Sequence, residues 1–237
     1  ALSATQISAL GSSGIAKLSA DQLGTLSTSA INSLSSAQIS ALGTGNINSF
    51  SSTQLRALSS AAINTLSSAQ VAQLDTKIAT LTSNQISAIA TAVVKELSLA
   101  QIQALGTSGI TALTSAQIQA LDTTDVTNLT SAQVSALSSS QIAALTSSQI
   151  VGLETADMGA LSSTQVKALS VATVGALSSS QIKTLTSSQL QALTSTQIQA
   201  LGTSGINQLT TAQIGNLAST QVAGLSINQI VNLNTTL

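Results

Sequence analysis

The sequence predicts an all-α repeat solenoid of very short helices, one for each eight-residue unit. Two observations lead to this fold class. An octapeptide recurs along nearly all of the 237 residues, and each copy combines a helix-start signature with aliphatic residues at helical spacing. A clear copy is Leu-Thr-Ser-Ala-Gln-Ile-Gln-Ala, from Leu113 to Ala120. We number its residues as positions 1 to 8 and call each such unit an octad.

The octads follow one another with almost no interruption. Position 1 is leucine except at Phe50 and Ile89, and position 6 is always aliphatic or methionine. About 29 octads run from Leu2 onwards, and the one at residues 74–80 is a single residue short. Because no change in composition marks a boundary, we expect one continuous solenoid over residues 1–237. The incomplete copy at residues 233–237 suggests a fragment of a longer array.

Each octad carries the signals of a helix start. Position 2 is nearly always Ser, Thr, Asp or Gly, residues that favour the N-cap, and Gln often follows three residues later, which makes a capping box. Position 6 and the next position 1, such as Ile118 and Leu121, are i,i+3 neighbours on one helix face. Where glycine occupies position 2, we expect a left-handed junction between helices. These glycines are Gly11, Gly43, Gly106 and Gly202.

Longer regular elements do not suit this repeat. In a continuous helix, eight residues turn about 800°, so the apolar stripe would drift by about 80° per octad. In a continuous strand, positions 1 and 6 would face opposite sides. The few charged residues agree with short helices, because acids concentrate at positions 2 to 5 and bases at positions 7 and 8, as the helix dipole favours. Glu96 at position 8 is an exception.

Glutamine adds a second period to the sequence. Position 5 is Gln in every second octad, which predicts a structural repeat of two octads, or sixteen residues. Each Gln either closes a capping box and hydrogen-bonds a neighbouring coil, or belongs to a candidate assembly face; both interpretations stay open. An alternative fold, a β-solenoid, would stack the same amides as a ladder. The row comprises Gln6, Gln22, Gln38, Gln54, Gln70, Gln85, Gln101, Gln117, Gln133, Gln149, Gln165, Gln181, Gln197, Gln213 and Gln229.

Two acidic pairs are the only candidates for metal ligands. Asp122 with Asp125, and Glu154 with Asp157, lie three residues apart at positions 2 and 5. One interpretation is a weak calcium site, since calcium prefers carboxylate oxygens. The other, which we favour, is a pair of acids that cap and charge the start of one helix.

The composition argues against several classes of function. The chain has no His, Cys or Tyr, so the usual catalytic bases, nucleophiles and metal ligands are missing, and we expect neither an enzyme nor a cofactor. Charged residues make up 5%, against about 25% in ordinary soluble domains, which argues against nucleic-acid binding. No apolar run approaches the ~18 residues of a membrane span, and nothing indicates a small-molecule substrate.

The octads at residues 113–120 and 193–200 resemble repeat tracts of very large bacterial secreted and surface proteins of adhesin-like type. This resemblance implies an extracellular or cell-surface location and a structural or adhesive role. We therefore expect an extracellular structural protein that associates with itself into filaments, stalks or layers, because a surface with so few charges repels its neighbours weakly. The alternative is an adhesin spacer, or a flat Ser/Thr/Gln face that binds polysaccharide or ice.

Overall fold

The computed structural model describes residues 2–233 and shows an all-α solenoid of short helices. These residues form 27 α-helices and two 3-10 helices of four to seven residues each, and no strand occurs among them. The predicted fold class is therefore confirmed, and the β-solenoid alternative is wrong. Backbone hydrogen bonds close within each short helix, so no edge is available for an amide ladder between strands.

Contacts divide the chain into two compact units, which meet in sequence between Ala120 and Leu121. The first unit contains α1 (Ala4–Ala9), α2 (Gly11–Ile15), α3 (Ala20–Gly24), α4 (Thr28–Asn32), α5 (Ser36–Ala41), the 3-10 helix η1 (Thr44–Ser49), α6 (Ser52–Ala57), α7 (Ser60–Asn64), α8 (Ser68–Ala72), the 3-10 helix η2 (Asp75–Thr80), α9 (Ser83–Ala88), α10 (Thr91–Val94), α11 (Leu99–Ala104), α12 (Gly106–Ala112) and α13 (Ser115–Ala120).

The second unit contains the remaining helices. They are α14 (Thr123–Thr127), α15 (Ser131–Ala136), α16 (Ser139–Ala144), α17 (Ser147–Gly152), α18 (Thr155–Ala160), α19 (Ser163–Ala168), α20 (Val171–Gly175), α21 (Ser179–Thr184), α22 (Ser187–Ala192), α23 (Ser195–Ala200), α24 (Gly202–Ile206), α25 (Thr211–Gly215), α26 (Ser219–Ala223) and α27 (Ile227–Val231). The prediction of one continuous solenoid stays a prediction.

Within each unit, every helix packs against the third helix before it and the third helix after it, counting all helices in chain order. One coil of the solenoid therefore contains three octads, or 24 residues in the regular register. The predicted sixteen-residue structural repeat is wrong for the stacking, since it describes only the spacing of Gln along the sequence.

The core is built from two positions of the octad. The aliphatic residue at position 6 and the leucine at position 1 are buried through the interior of each unit, as at Ile150 (0% exposed) and Leu153 (3%). One octad buries too little apolar surface to offset the ordering of eight residues, which costs about 8–16 kcal/mol in backbone entropy. The stability of each unit therefore comes from stacked coils.

A two-residue extended segment separates most neighbouring helices. Between α16 and α17, for example, Leu145 has φ −59° and ψ 133°, and Thr146 has φ −77° and ψ 162°. The Thr146 hydroxyl then accepts the backbone N–H of Gln149, while the Gln149 side chain accepts the N–H of Thr146. This reciprocal pair is the predicted capping box, and it fixes where each helix starts.

Three of the four glycine junctions adopt the predicted left-handed conformation. Gly11, Gly106 and Gly202 have φ of +60°, +59° and +67°. At Gly43 the prediction is wrong, because its φ is −59° and its ψ is 148°. This junction is extended, like the ordinary Leu-Ser connection.

A second glycine explains the difference. Before a left-handed glycine the leucine turns into the right-handed region, as Leu105 does at φ −55° and ψ −29°. Its side chain then lies over position 5 of the octad, where a Cβ on Gly109 would be 2.7 Å from the Leu105 Cβ. The left-handed junction therefore needs glycine at positions 2 and 5 together. The Gly43 octad has Asn46 at position 5 and keeps the extended junction.

The octad at residues 74–80, which is one residue short, folds as the 3-10 helix η2 and begins with an unusual backbone angle. Leu74 takes the right-handed conformation, and Asp75 follows with φ +45°, the only non-glycine residue with positive φ in residues 2–233. An L-residue in this region costs roughly 1–2 kcal/mol, and Asp is among the residues that tolerate it best. The missing residue is thus accommodated locally.

We predict that Asp75→Gly raises the free energy of unfolding by about 0.5–1 kcal/mol, because glycine adopts positive φ without the Cβ penalty. The matched variant Asp122→Gly changes the same residue type at the same octad position, where φ is −78° and the carboxylate caps α14. We expect that change to cost a few tenths of a kcal/mol. Urea unfolding followed by circular dichroism measures both. Equal or lower stability of Asp75→Gly would refute the strain at Asp75.

Candidate functional site: the glutamine row

The most regular polar feature of the structure is the row of glutamines at position 5. Every member of the predicted row from Gln38 to Gln229 is buried, with exposures of 1–7%. Three further glutamines at the same position are buried too, namely Gln141, Gln189 and Gln221. Burying an amide without hydrogen bonds is unfavourable, so the partners of these side chains decide what the row does.

Gln54 shows the arrangement. Its Oε1 accepts the backbone N–H of Ser51 at 2.8 Å, which completes the start of α6. Its Nε2 donates to the carbonyls of Leu23 and Leu26, at 3.1 and 2.8 Å, where α3 ends. One amide therefore satisfies the start of its own helix and the end of a helix four places earlier. We call this arrangement a glutamine tie.

The tie recurs in both units. In the second unit, Gln181 donates to Ile150 at 2.7 Å and to Leu153 at 2.9 Å. The acceptors lie 31 and 28 residues before the glutamine, at position 6 of one octad and position 1 of the next. Gln85, which follows the short octad, instead bonds carbonyls 30 and 27 residues earlier. The tie thus follows position in space rather than a fixed count of residues.

Other side chains replace glutamine at some positions. Asn46 donates to the Leu18 carbonyl at 3.4 Å, and the Thr173 hydroxyl donates to the Leu145 carbonyl at 3.3 Å. In the short octad, the Lys77 ammonium donates to the Asn48 carbonyl at 2.6 Å. Lys77 is not among the predicted site residues, although it is the only base that falls in the middle of an octad.

The structure divides the predicted assembly face into two groups. The buried glutamines are engaged within the chain, so they do not form an outer surface. Gln6 and Gln22, in the first coil, are exposed, and their Oε1 atoms close capping boxes with Ser3 and Ser19 at 2.9 Å. No acceptor for either Nε2 occurs among residues 2–233. An assembly role stays a prediction, and it now concerns these two residues.

The two acidic pairs take different roles. Asp122 accepts the N–H of Asp125 at 2.7 Å, and Asp125 accepts the N–H of Asp122 at 3.1 Å, which is a capping box built from two acids. Glu154 makes no cap hydrogen bond, whereas Asp157 is buried and accepts the Ser131 hydroxyl at 2.6 Å. Within residues 2–233, no group of three or more His, Cys, Asp or Glu side chains converges as metal ligands would. This geometry gives the calcium prediction no support.

Asp125 is a half-buried carboxyl that lies beside the carboxylate of Asp122. Burial raises its pKa above the ordinary 3.8; the hydrogen bond from the Asp122 N–H opposes this effect, and the negative charge of Asp122 adds to it. The folded chain holds the proton more tightly than the unfolded chain does. Asp125 therefore destabilises the folded state least below pH 3.8, where the carboxyl is mostly protonated in both states. The penalty appears as pH rises through the raised pKa.

We predict that Gln54→Glu lowers the free energy of unfolding at pH 7 by about 2–4 kcal/mol, because a carboxylate keeps the capping box but cannot donate to the buried carbonyls. At acidic pH the protonated side chain can donate, so the loss should shrink. The matched variant Gln22→Glu keeps its capping box and has no tie to lose, and we expect a change within ~0.5 kcal/mol. Urea unfolding measures both variants. If Gln54→Glu and Gln22→Glu lowered the free energy of unfolding equally, the stabilising role of the tie would be contradicted.

We also predict that Asp125→Asn stabilises the chain at pH 7 relative to the unsubstituted protein, because the amide keeps the hydrogen bond to Asp122 without a charge. The advantage should decline as pH falls towards 3.8, where Asp125 becomes neutral in both states. Unfolding at several pH values tests this expectation. A difference that is independent of pH, or one that grows as the solution is acidified, would show that the sign is wrong.

Comparisons with known proteins agree with the repeat structure. Six segments match the family model of the ALTTAQ repeat, at residues 15–52, 47–76, 118–153, 150–187, 174–203 and 185–219. A search among curated proteins gave no match. The six letters of the family description resemble Ala144–Gln149 within the matched residues 118–153, where serine replaces the second threonine and the second alanine, and this segment ends on the tie glutamine Gln149. Because the matched segments cover more than half of its residues, the chain belongs to the ALTTAQ repeat family.

Proposed function

We propose that the chain is a non-catalytic structural repeat protein, which acts outside the cell as part of a filament, stalk or matrix. The observation that carries this proposal is the glutamine tie. It joins each coil to the preceding one through buried hydrogen bonds, again and again within each unit, as Gln38 does to Ile7 and Gln213 to Leu185. A protein whose task is to hold a spacing needs this kind of repeated connection.

The tie resists separation of neighbouring coils. Pulling two coils apart exposes the aliphatic residues at positions 1 and 6 and, at the same time, strips buried carbonyls of their donor. Each unsatisfied buried group costs roughly 1–3 kcal/mol. Apolar contacts alone lack direction, whereas the amide and the carbonyls fix both the distance and the register of the coils. This combination favours a load-bearing or spacing role.

The outer surface supports association with other copies. Lys95 and Glu96 form the one ion pair among residues 2–233, at 3.6 Å, and both side chains are more than half exposed, so the pair contributes little. A surface with so few charges offers little repulsion against close lateral packing. The extracellular location is proposed from the resemblance to bacterial surface repeats. No helix within residues 2–233 has the length and apolar character needed to cross a membrane.

The absence of catalysis is proposed from the residue types in the chain. Without His, Cys or Tyr, a serine nucleophile would need a lysine or carboxylate as its base. The buried carboxylate of Asp157 accepts a hydrogen bond from the Ser131 hydroxyl, which lies in a neighbouring coil. An adhesin spacer or an ice-binding or polysaccharide-binding face remains the alternative, although surface hydroxyls such as that of Ser195 already donate to a neighbouring coil.

The proposal is tested by electron microscopy and sedimentation of the purified chain over a wide concentration range. We expect ordered assemblies of uniform width that grow with concentration. Particles that stay monodisperse at the highest concentration would contradict self-assembly. Thermal hysteresis and a polysaccharide pull-down, run on the same sample, would identify the alternative instead.

A further inference from the structure

The octad at residues 153–160, in the interior of the second unit, departs from the repeat at four positions. It has Glu154 at position 2, Asp157 at position 5, Met158 at position 6 and Gly159 at position 7. Its helix α18 packs against α15 in the preceding coil and α21 in the following coil. All four departures therefore act on one helix between two ordinary neighbours.

Both ends of α18 lack a hydrogen bond that ordinary octads form. At the start, the Glu154 side chain makes no cap hydrogen bond, so the first-turn N–H groups lose the usual side-chain acceptor. At the end, the Leu161 N–H makes no cap hydrogen bond, whereas in the next octad the Leu169 N–H donates to the Val166 carbonyl at 3.2 Å. A helix of six residues has few other backbone bonds to hold it.

Asp157 occupies the tie position but reverses the direction of the hydrogen bond. A glutamine there would donate to the carbonyls of Val126 and Leu129, which lie 31 and 28 residues earlier, as in other ties. A carboxylate has no hydrogen to donate, and Asp157 instead accepts the Ser131 hydroxyl at 2.6 Å. The one ion pair within residues 2–233 lies elsewhere, so this buried carboxylate has no basic partner. An unpaired buried charge disfavours the folded helix.

Gly159 weakens the same helix without a packing reason. A Cβ built on Gly159 meets no atom within 4 Å, whereas a Cβ on Gly152 would lie 2.9 Å from Thr123 Cγ2. Glycine inside a helix loses more conformational entropy than alanine does, and at Gly159 no close contact compensates. Met158, the only methionine, is 0% exposed and fills the core with an unbranched, flexible side chain in place of the usual isoleucine or valine.

The helix α10 also lacks a cap hydrogen bond and a tie, but it buries no charge. Its position 5 is Val93, an apolar residue at 7% exposure, and the Leu97 N–H donates to the Val94 carbonyl at 3.1 Å. A missing cap and a missing tie are therefore combined with a buried carboxylate and an unneeded glycine in α18 but not in α10.

We propose that α18 is a reversible opening point of the second unit: it detaches from α15 and α21 and docks again while the neighbouring helices stay folded. Segments with few supporting hydrogen bonds open locally at a smaller free energy than the whole domain. Detachment brings the Asp157 carboxylate into water, which favours the open form, and uncovers the Met158 side chain. In a chain under tension this octad would yield first and spare the others, a consequence that rests on the structural function proposed above.

Hydrogen exchange of the intact 237-residue chain, followed by mass spectrometry, tests this opening. We expect the amides of α18 to exchange about tenfold faster than those of α19, whose N-cap, capping box and C-terminal hydrogen bond are all present. The amides of α10 should exchange more slowly than those of α18, because α10 buries no charge. Equal protection of α18 and α19 would overturn the proposal.

A repaired variant assigns the opening to the residues named above. Glu154→Thr with Asp157→Gln and Gly159→Ala gives α18 the cap, the tie and the helix-forming residue of ordinary octads, and we expect its exchange to slow about tenfold, to the rate of α19. The control Asp122→Thr with Asp125→Gln makes the same changes at positions 2 and 5 of α14 and should leave the exchange of α18 unchanged. Fast exchange that persists in the repaired variant would refute the assignment.

Thiol labelling gives a second measurement, because the chain has no cysteine of its own. Met158→Cys and Val166→Cys each place a thiol at position 6, where both native side chains are 0% exposed. A thiol-alkylating reagent should modify Met158→Cys about tenfold faster than Val166→Cys, and equal rates would count against the opening. Neither measurement depends on assembly, so a failure here leaves the structural role intact, and a chain that forms no assemblies leaves the opening intact.

Discussion

The amide group of the position-5 glutamine is the interaction on which the rest of the structure depends. A helix of about six residues leaves nearly all of its terminal N–H and C=O groups without partners inside the helix. The hydroxyl at position 2 satisfies donors at the start, and the glutamine Oε1 satisfies one more. The Nε2 of a later glutamine then satisfies carbonyls at the end. Helices this short can be buried because each one is capped partly by another coil.

The ties also connect particular sets of helices. A helix packs against its third neighbour, but its glutamine reaches the end of the fourth helix before it. With Gln in every second octad, glutamine-bearing helices are tied to one another, as Gln181 in α21 reaches Leu153 after α17, and Gln213 in α25 reaches Leu185 after α21. Coil packing and amide bonding thus link different pairs of helices in neighbouring coils.

Much of this architecture could be predicted from local chemistry. The capping box locates the helix starts because it involves residues three apart, and positions 6 and 1 identify the core because both lie on one helix face. The number of helices per coil could not be predicted, because the angle between helices is set by backbone angles at positions 1 and 2, which most octads share and which the residue types alone do not specify. The sixteen-residue period of Gln was misleading, since its acceptors are main-chain carbonyls and leave no mark in the sequence.

Some individual residues also have conformations or contacts that their own octad position does not predict. Gly43 and Gly106 look alike at position 2, and their different conformations follow from Asn46 and Gly109 at position 5. Lys77 bonds a carbonyl of the preceding coil only because the short octad brings its ammonium there. The candidate site was half predictable: the sequence identifies the glutamine row, but burial determines that its interior members stabilise the coils and that Gln6 and Gln22 remain exposed.

Because the acceptors of the tie are backbone carbonyls, a glutamine needs no particular residue opposite it. An octad can be duplicated, lost or exchanged without a compensating substitution in another coil, and Gln85 shows that even a lost residue leaves its hydrogen bonds in place. Most polar interfaces constrain two side chains at once, whereas the tie constrains only the side chain at position 5. Repeat number can therefore drift by unequal recombination while every new coil arrives already able to bind its neighbours.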